Sequence, residues 1–260
     1  MADELVLNRS GDVATLTLNR PDKHNAITYE MFRNLPEVVR EAAEDRAVKV
    51  LVVRGAGEKA FASGADISEF ERVRANSADA RVYNQYVAAA EQAITRLAKP
   101  TIAMVRGYCI GGGCGLALAC DLRFADTTAR FGITPAKLGI VYSLESTKRL
   151  VDLVGPAQAK YILMSGQQID ARRAHGIGLV DELHEPAEFE EATLGFARLL
   201  CSRSQYSVRA VKHMVGLILA GQVEDDEETR QLRSVAFDTP DFAEGVRAFR
   251  EKREPRFTMP

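Results

Sequence analysis

Apolar Leu5-Val6-Leu7 and Val13-Ala14-Thr15-Leu16-Thr17-Leu18 flank the polar Ser10-Gly11-Asp12 in a strand, turn, strand pattern, so the chain opens as a β-hairpin. A polar loop, Pro21 to Ala26, precedes an amphipathic helix from Thr28 to about Ala43, with a bend predicted at Pro36. Val48 to Arg54, mostly β-branched, reads as a buried strand. A second loop, Gly55 to Gly64, leads into helical periodicity from Ile67 to Ala98, broken near Asn76-Ser77. Pro100 to Val105 is the next strand, Gly107 to Gly115 a glycine loop, Leu116 to Cys120 a helix and Leu122 to Ala125 a strand. Thr134-Pro135 has the form of an N-cap followed by proline at the first helical position. Helices follow over Ser143 to Val154, ended by Gly155, and over Pro156 to Met164, ended by Gly166. Strands recur near Ile169 and at Leu179 to Leu183.

Strand patterns then stop. Helical segments run over Phe189 to Ser202, Gln205 to Ala220, Asp225 to Phe237 and Phe242 to Lys252. The pattern predicts an α/β core over residues 1–190 and a helical region over 191–260. The acidic run Glu224 to Glu228 reads as a solvated helix start favoured by the dipole.

Composition narrows the function. With 260 residues, 46% hydrophobic and 27% charged, the chain can bury a full core. A net charge of −2 lacks the basic excess that nucleic acid binding needs. The start, Asp3 and Glu4, lacks the basic and apolar regions of a signal peptide, and the longest uncharged stretch, Gly107 to Cys120, is too short for a membrane span. A soluble, cytoplasmic protein is expected. Cys109, Cys114, Cys120 and Cys201 have no metal or redox spacing and read as reduced, mostly buried residues. Histidines 24, 175, 184 and 213 include no pair at helical metal spacing, so no metal is expected. There is no Walker A sequence, no Gly-x-Ser-x-Gly elbow and no His-Glu-x-x-His, and the glycine loop ends in Leu116 where a dinucleotide fingerprint needs glycine.

Two glycine turns remain, Ser63-Gly64-Ala65-Asp66 and Ile110-Gly111-Gly112-Gly113, each feeding a helix. Amides at a helix start lack intrahelical partners and carry the positive end of the dipole, so two such turns at the ends of consecutive strands can pinch one developing oxyanion. The structural alternative is a pair of tight turns where glycine permits close packing.

These turns lie inside longer matches. Leu18 to Ala26, Phe61 to Ile67, Gly107 to Cys114 with Ala119-Cys120-Asp121, and Asp241 to Arg253 together resemble the crotonase superfamily, which includes the enoyl-CoA hydratases and isomerases. The resemblance implies a spiral of strand-strand-helix units with a helical C-terminal region that packs subunits into trimers, often paired as hexamers. It implies that the Ala65 and Gly112 amides hold the thioester oxygen of an acyl-CoA. Lys23, Ala26 and Ala62 would lie along the nucleotide, with Phe249 and Lys252 approaching from a C-terminal helix. Asp66, Ile67, Gly111, Pro135 and Leu138 complete the expected substrate contacts, with CoA part of the substrate and no separate cofactor.

The departures redirect the chemistry. Hydratases of this family carry two catalytic glutamates at positions that here are Gly115 and Pro135, and neither can move a proton. Decarboxylation of a malonyl-type thioester needs less, because loss of carbon dioxide makes the enolate directly and only a later proton donor is required. Thr134 to Tyr142 resembles the methylmalonyl-CoA decarboxylases, including Tyr142, although those carry histidine where Ala65 stands. Tyr142 is a candidate neutral donor, or else a tyrosine with a buried ring and satisfied hydroxyl. Glu145 is a candidate relocated acid/base or simply a first-turn acid. Lys137 and Asp121 read as surface and structural residues. Decarboxylation or another enolate reaction is therefore expected ahead of hydration, the alternatives being a catalytically silent acyl-CoA-binding oligomer and a structural assembly protein. The segment between Ile67 and Ala90 shapes the acyl pocket.

Overall fold

In the computed structural model, which describes residues 4–259, β1 (Leu5–Ser10) and β2 (Val13–Leu18) pair antiparallel from Leu5 opposite Leu18 to Ser10 opposite Val13. Asp3 of the acidic start lies outside the described residues. Thr28 caps α1 (Tyr29–Glu44) by accepting the Met31 N–H at 3.1 Å, a contact worth about 1 kcal/mol. Met31, Phe32, Leu35, Val39 and Ala42 recur at helical spacing and form its buried face. The helix continues through Pro36, because the buried side chains on both sides of the proline hold it against the core.

β3 (Val50–Gly55) is followed by β4 (Ala60–Ala62), and a short α2 (Phe70–Val73) precedes α3 (Ser77–Arg96). The break between those helices falls at Asn76, whose side chain accepts the Ala78 and Asp79 N–H groups. β5 (Thr101–Val105), β6 (Tyr108–Ile110), α4 (Gly112–Ala119), β7 (Leu122–Asp126) and β8 (Arg130–Gly132) come next. Pro135 opens only one 3-10 turn, and Thr134 makes no side-chain cap. α5 (Leu144–Ser165) is interrupted at Gly155, whose φ of 73° separates the two expected helices. β9 (Ile169–Asp170), α6 (Ala171–Gly176) and β10 (Glu182–His184) complete the core chain.

The strands divide between two sheets. One has the order β1-β2-β3-β5-β7-β10, parallel except for the opening hairpin. The other has the order β4-β6-β8-β9 and interleaves strands of two or three residues with those of the first, so the turns of the chain give a long strand, a short one and then a helix or loop. This is the strand-strand-helix spiral. Strands β4 and β6 lie where the sequence predicts only loops and β8 where it predicts no element, since three residues are too few to establish alternation.

One core fills the space between the sheets and α1, α3, α4 and α5, with Phe32, Phe61, Leu116 and Phe131 among its members. A second covers the other face of the large sheet, where Val50, Val52, Ile102 and Phe124 meet Phe189 and Ala197 of α7 (Phe189–Cys201). The boundary expected at 190/191 therefore cuts a helix that belongs to the core. Beyond it lie α8 (Gln205–Leu219), α9 (Glu227–Val235) and α10 (Pro240–Glu251). Asp121 ties α8 to the spiral by accepting from Thr101 N–H at 2.7 Å and Lys212 Nζ at 2.7 Å, the structural role the sequence suggests. Cys109, Cys114 and Cys120 are buried and unpaired, and burial pushes the Cys120 thiol up to about 12, which keeps it protonated and inert. Among the described residues no helix is long and apolar enough to cross a membrane.

Candidate active site

The loop after β2 is held by a buried amide. Asn25, fully buried with φ of 54°, donates to the carbonyls of Ala56 and Ala60 at 2.9 and 2.7 Å and accepts the Arg20 N–H at 2.9 Å. Arg20 then reaches Asp66 at 2.9 Å and Glu4 at 3.0 Å. Asp66 accepts Ser68 and Arg20, which hold its carboxyl below the usual range. It is thus a clamp between loops, and it does not line the cavity described below. Ser63 N–H donates to His24 at 3.0 Å, so the loop carrying Lys23 and Ala26 runs beside the loop carrying Ala65.

Two backbone conformations that favour glycine shape the centre of the site. Gly64 has φ of 105°, and its carbonyl accepts Ile27 N–H at 2.7 Å. Gly111 has φ of 53° and donates to Gly132 at 2.8 Å, after which α4 begins at Gly112. The point a Gly112 Cβ would occupy lies 3.6 Å from Ala65 N, so the two amides are neighbours. Among the described residues neither the Ala65 nor the Gly112 N–H has a hydrogen-bond acceptor. Two unpaired donors, one in a loop and one at the start of a buried helix, can stabilise one oxyanion.

They open on a cavity of about 200 Å³. Its apolar wall includes Phe32, Ile67, Phe70, Val87, Leu138 and Ile140, and Ala65, Gly111, Gly112 and Pro135 line it too. Tyr142 closes one side, its hydroxyl 3.4 Å from the Gly111 carbonyl. Burial, reinforced by nearby Glu91, holds that phenol well above its usual range and therefore neutral.

Glu91 is the carboxyl group that the sequence reading missed. It projects from α3 into the cavity lining and is 2% exposed. Ser146 Oγ and Arg149 Nη1 donate to its Oε2 at 2.6 and 2.7 Å. Its other oxygen, Oε1, lies 2.3 Å from the point where a Gly115 Cβ would stand, and Tyr142 Oη lies 3.0 Å from the same point. The space above Gly115 is thus filled by a carboxyl from another helix. Burial raises the Glu91 pKa against the pull of Ser146 and Arg149. A sequence signal exists, since Glu91 occupies the helical face that also buries Tyr83, Ala90 and Ile94, where a charged residue is out of place.

Other expected residues fall elsewhere. Glu145 is exposed, accepts Gln92 Nε2 at 3.1 and 3.0 Å and does not line the cavity. The carboxyl that lines the cavity is Glu91, while Glu145 lies in the first turn of α5. Ala62 is fully buried beneath α4, with its carbonyl 2.6 Å from the point a Gly113 Cβ would occupy, so it packs the helix and presents no surface to a ligand. Phe249 lines a separate cavity with Ser207 and Phe242, and Lys252 is the left-handed C-cap of α10. Neither Phe249 nor Lys252 joins the lining of the main cavity within one chain.

The model of the enoyl-CoA hydratase/isomerase family matches residues 8–260. The chain is 34% identical over 256 residues to the short-chain-enoyl-CoA hydratase of Clostridium acetobutylicum, covering 97% of this chain and 96% of that one. It is 33% identical over 259 residues to the crotonyl-CoA hydratase of Syntrophomonas wolfei, covering 98% of each. Among solved structures, a protein assigned to the enoyl-CoA hydratase/isomerase family from Hyphomonas neptunium matches with a TM-score of 0.96 and 39% identity over 100% of both chains.

Proposed function

The chain belongs to the enoyl-CoA hydratase/isomerase family and is an acyl-CoA enzyme of it, and we propose that it forms and protonates a thioester enolate without hydrating its substrate. What supports this reading is the pair of unpaired amides, Ala65 and Gly112, facing a cavity into which Glu91 projects, with Gly115 and Pro135 standing where the resemblance puts the two hydratase glutamates. The thioester oxygen accepts both N–H groups, and charge that develops on it is stabilised more strongly than the ground-state carbonyl. Decarboxylation of a malonyl-type acyl group suits the arrangement. The bond from the α-carbon to the carboxylate breaks, carbon dioxide leaves, and the electron pair moves onto the oxygen held by the amides. Glu91 in its protonated form then delivers a proton to the α-carbon, with neutral Tyr142 beside it as a hydrogen-bond donor. Hydration asks for two proton-carrying groups around one water, and at Gly115 and Pro135 the chain supplies none. No cofactor beyond the CoA of the substrate enters. Side-by-side turnover of an enoyl-CoA and a malonyl-type thioester tests the reading, which expects product from the second and little hydration of the first.

The CoA moiety runs past Lys23 and Ala26, beside Ser63 at the cavity wall. Phe249 and Lys252 come to it from a neighbouring subunit. The support for such an assembly is the uncovered face of α8, where Val211, Val215 and Ile218 recur at helical spacing and are 61%, 48% and 62% exposed. A trimer or hexamer in the cytoplasm is the proposed working form. Light scattering of the intact chain is expected to give a mass of three or six copies, and a monomer would contradict the assembly.

A further inference from the structure

The end of the cavity formed by α2 and α3 has a chemistry that an unsubstituted acyl chain does not use. Arg74 lines it, with its guanidinium 4.3 Å from the centroid of Tyr83 and 4.9 Å from that of Phe70. One Nη donates to Asn84 Oδ1 at 2.6 Å, and among the described residues no carboxylate pairs with Arg74. A guanidinium carries five N–H donors, so most of its hydrogen-bonding capacity is open. Tyr83, another lining residue, is 2% exposed, and its hydroxyl is buried with no hydrogen-bond partner. A buried hydroxyl without a partner is costly, as is a half-buried cation without a counter-charge, and one anionic oxygen pair satisfies both. Removal from water depresses the Arg74 pKa, the sign expected of a cation that lacks an acidic partner.

Position fixes where on the ligand that anion must be. Phe32 Cζ lies 3.1 Å from the point a Gly112 Cβ would occupy, and Phe32 in turn packs on Tyr83 with ring centroids 5.9 Å apart. The contacts that lead from the amide pair to the guanidinium thus run through two aromatic rings, Phe32 and Tyr83. A group bound by Arg74 sits towards the far end of the acyl chain and is distinct from any carboxylate that leaves from the α-carbon.

We infer that the acyl pocket is built for a CoA thioester whose acyl chain ends in a carboxylate, held by Arg74 with Tyr83 and Asn84. This rests on the acyl-CoA reading of the site, and the test separates the two. Binding of glutaryl-CoA is measured against pentanoyl-CoA, and adipyl-CoA against hexanoyl-CoA, by calorimetry on the intact protein. These saturated thioesters report recognition independently of turnover. The carboxylate-ended member of at least one pair is expected to bind about tenfold to a hundredfold more tightly, the range of a charge-assisted hydrogen bond closing on a buried partner. Arg74→Met, which retains an apolar stem, is expected to erase that preference while leaving pentanoyl-CoA binding within about twofold. Tyr83→Phe reduces it without a change of volume. Equal binding within both pairs in the unaltered protein overturns the inference while the acyl-CoA reading stands. Failure of all four thioesters to bind overturns both. A preference that survives Arg74→Met in a folded variant places the carboxylate elsewhere and overturns the assignment to Arg74.

Discussion

Replacing Gly112 by proline is expected to lower turnover by about 100- to 1,000-fold, the loss typical of removing one donor from an oxyanion hole. Gly112 is the first residue of α4, and proline is well tolerated there because that N–H has no intrahelical partner. The substitution removes the donor proposed to face the thioester oxygen while leaving the helix its internal bonds. The added Cβ meets Phe32 Cζ at 3.1 Å, so that ring must give by a few tenths of an ångström. An unchanged melting transition and retained CoA binding are the controls. The loss should fall on kcat, since the amide matters most once charge has moved onto oxygen. A folded variant with full turnover would remove Gly112 from the mechanism.

Glu91→Gln is expected to cost about 100- to 10,000-fold, the range for losing a positioned acid or base. The amide keeps the shape of the side chain and its carbonyl still accepts from Ser146 or Arg149, so folding should survive. The pH profile distinguishes a proton donor from a packing residue. Burial raises the Glu91 pKa, and the protonated form is the one that donates. Turnover should therefore decline as pH rises through that raised value, and the glutamine variant should lose this alkaline limb. Tyr142→Phe should cost only about tenfold, near the 1.4 kcal/mol of one good hydrogen bond. A greater loss from Tyr142→Phe than from Glu91→Gln would make the phenol the principal acid.

The parts of the site carried by short sequence motifs were legible in the sequence. The hairpin, the break at Asn76 and both glycine turns follow from local patterning, because alternation, side-chain capping and positive φ each leave a signature within a few residues. The small sheet was not legible, as β4, β6 and β8 each have three residues and are specified by neighbours that only the spiral brings together. The same reason hid Glu91. It stands 24 positions before Gly115 in the chain, and no spacing rule connects a helix residue to a vacancy on a different helix. Glu145 drew attention instead because it is close in sequence to Tyr142, while its side chain turns outward to Gln92. Arg74 and Tyr83 read as ordinary members of a helical segment until packing sets both residues against one cavity.

The central claim is that this site makes and protonates an enolate but does not add water. Its most direct test is incubation of the intact protein in deuterated water with crotonyl-CoA and, separately, with methylmalonyl-CoA, following both by mass spectrometry. The account predicts that methylmalonyl-CoA loses carbon dioxide and gains solvent deuterium at the α-carbon, while crotonyl-CoA gives little 3-hydroxyacyl product. Hydration of crotonyl-CoA at an ordinary enzyme's rate of about 1 to 1,000 per second, with no deuterated product from methylmalonyl-CoA, would contradict it.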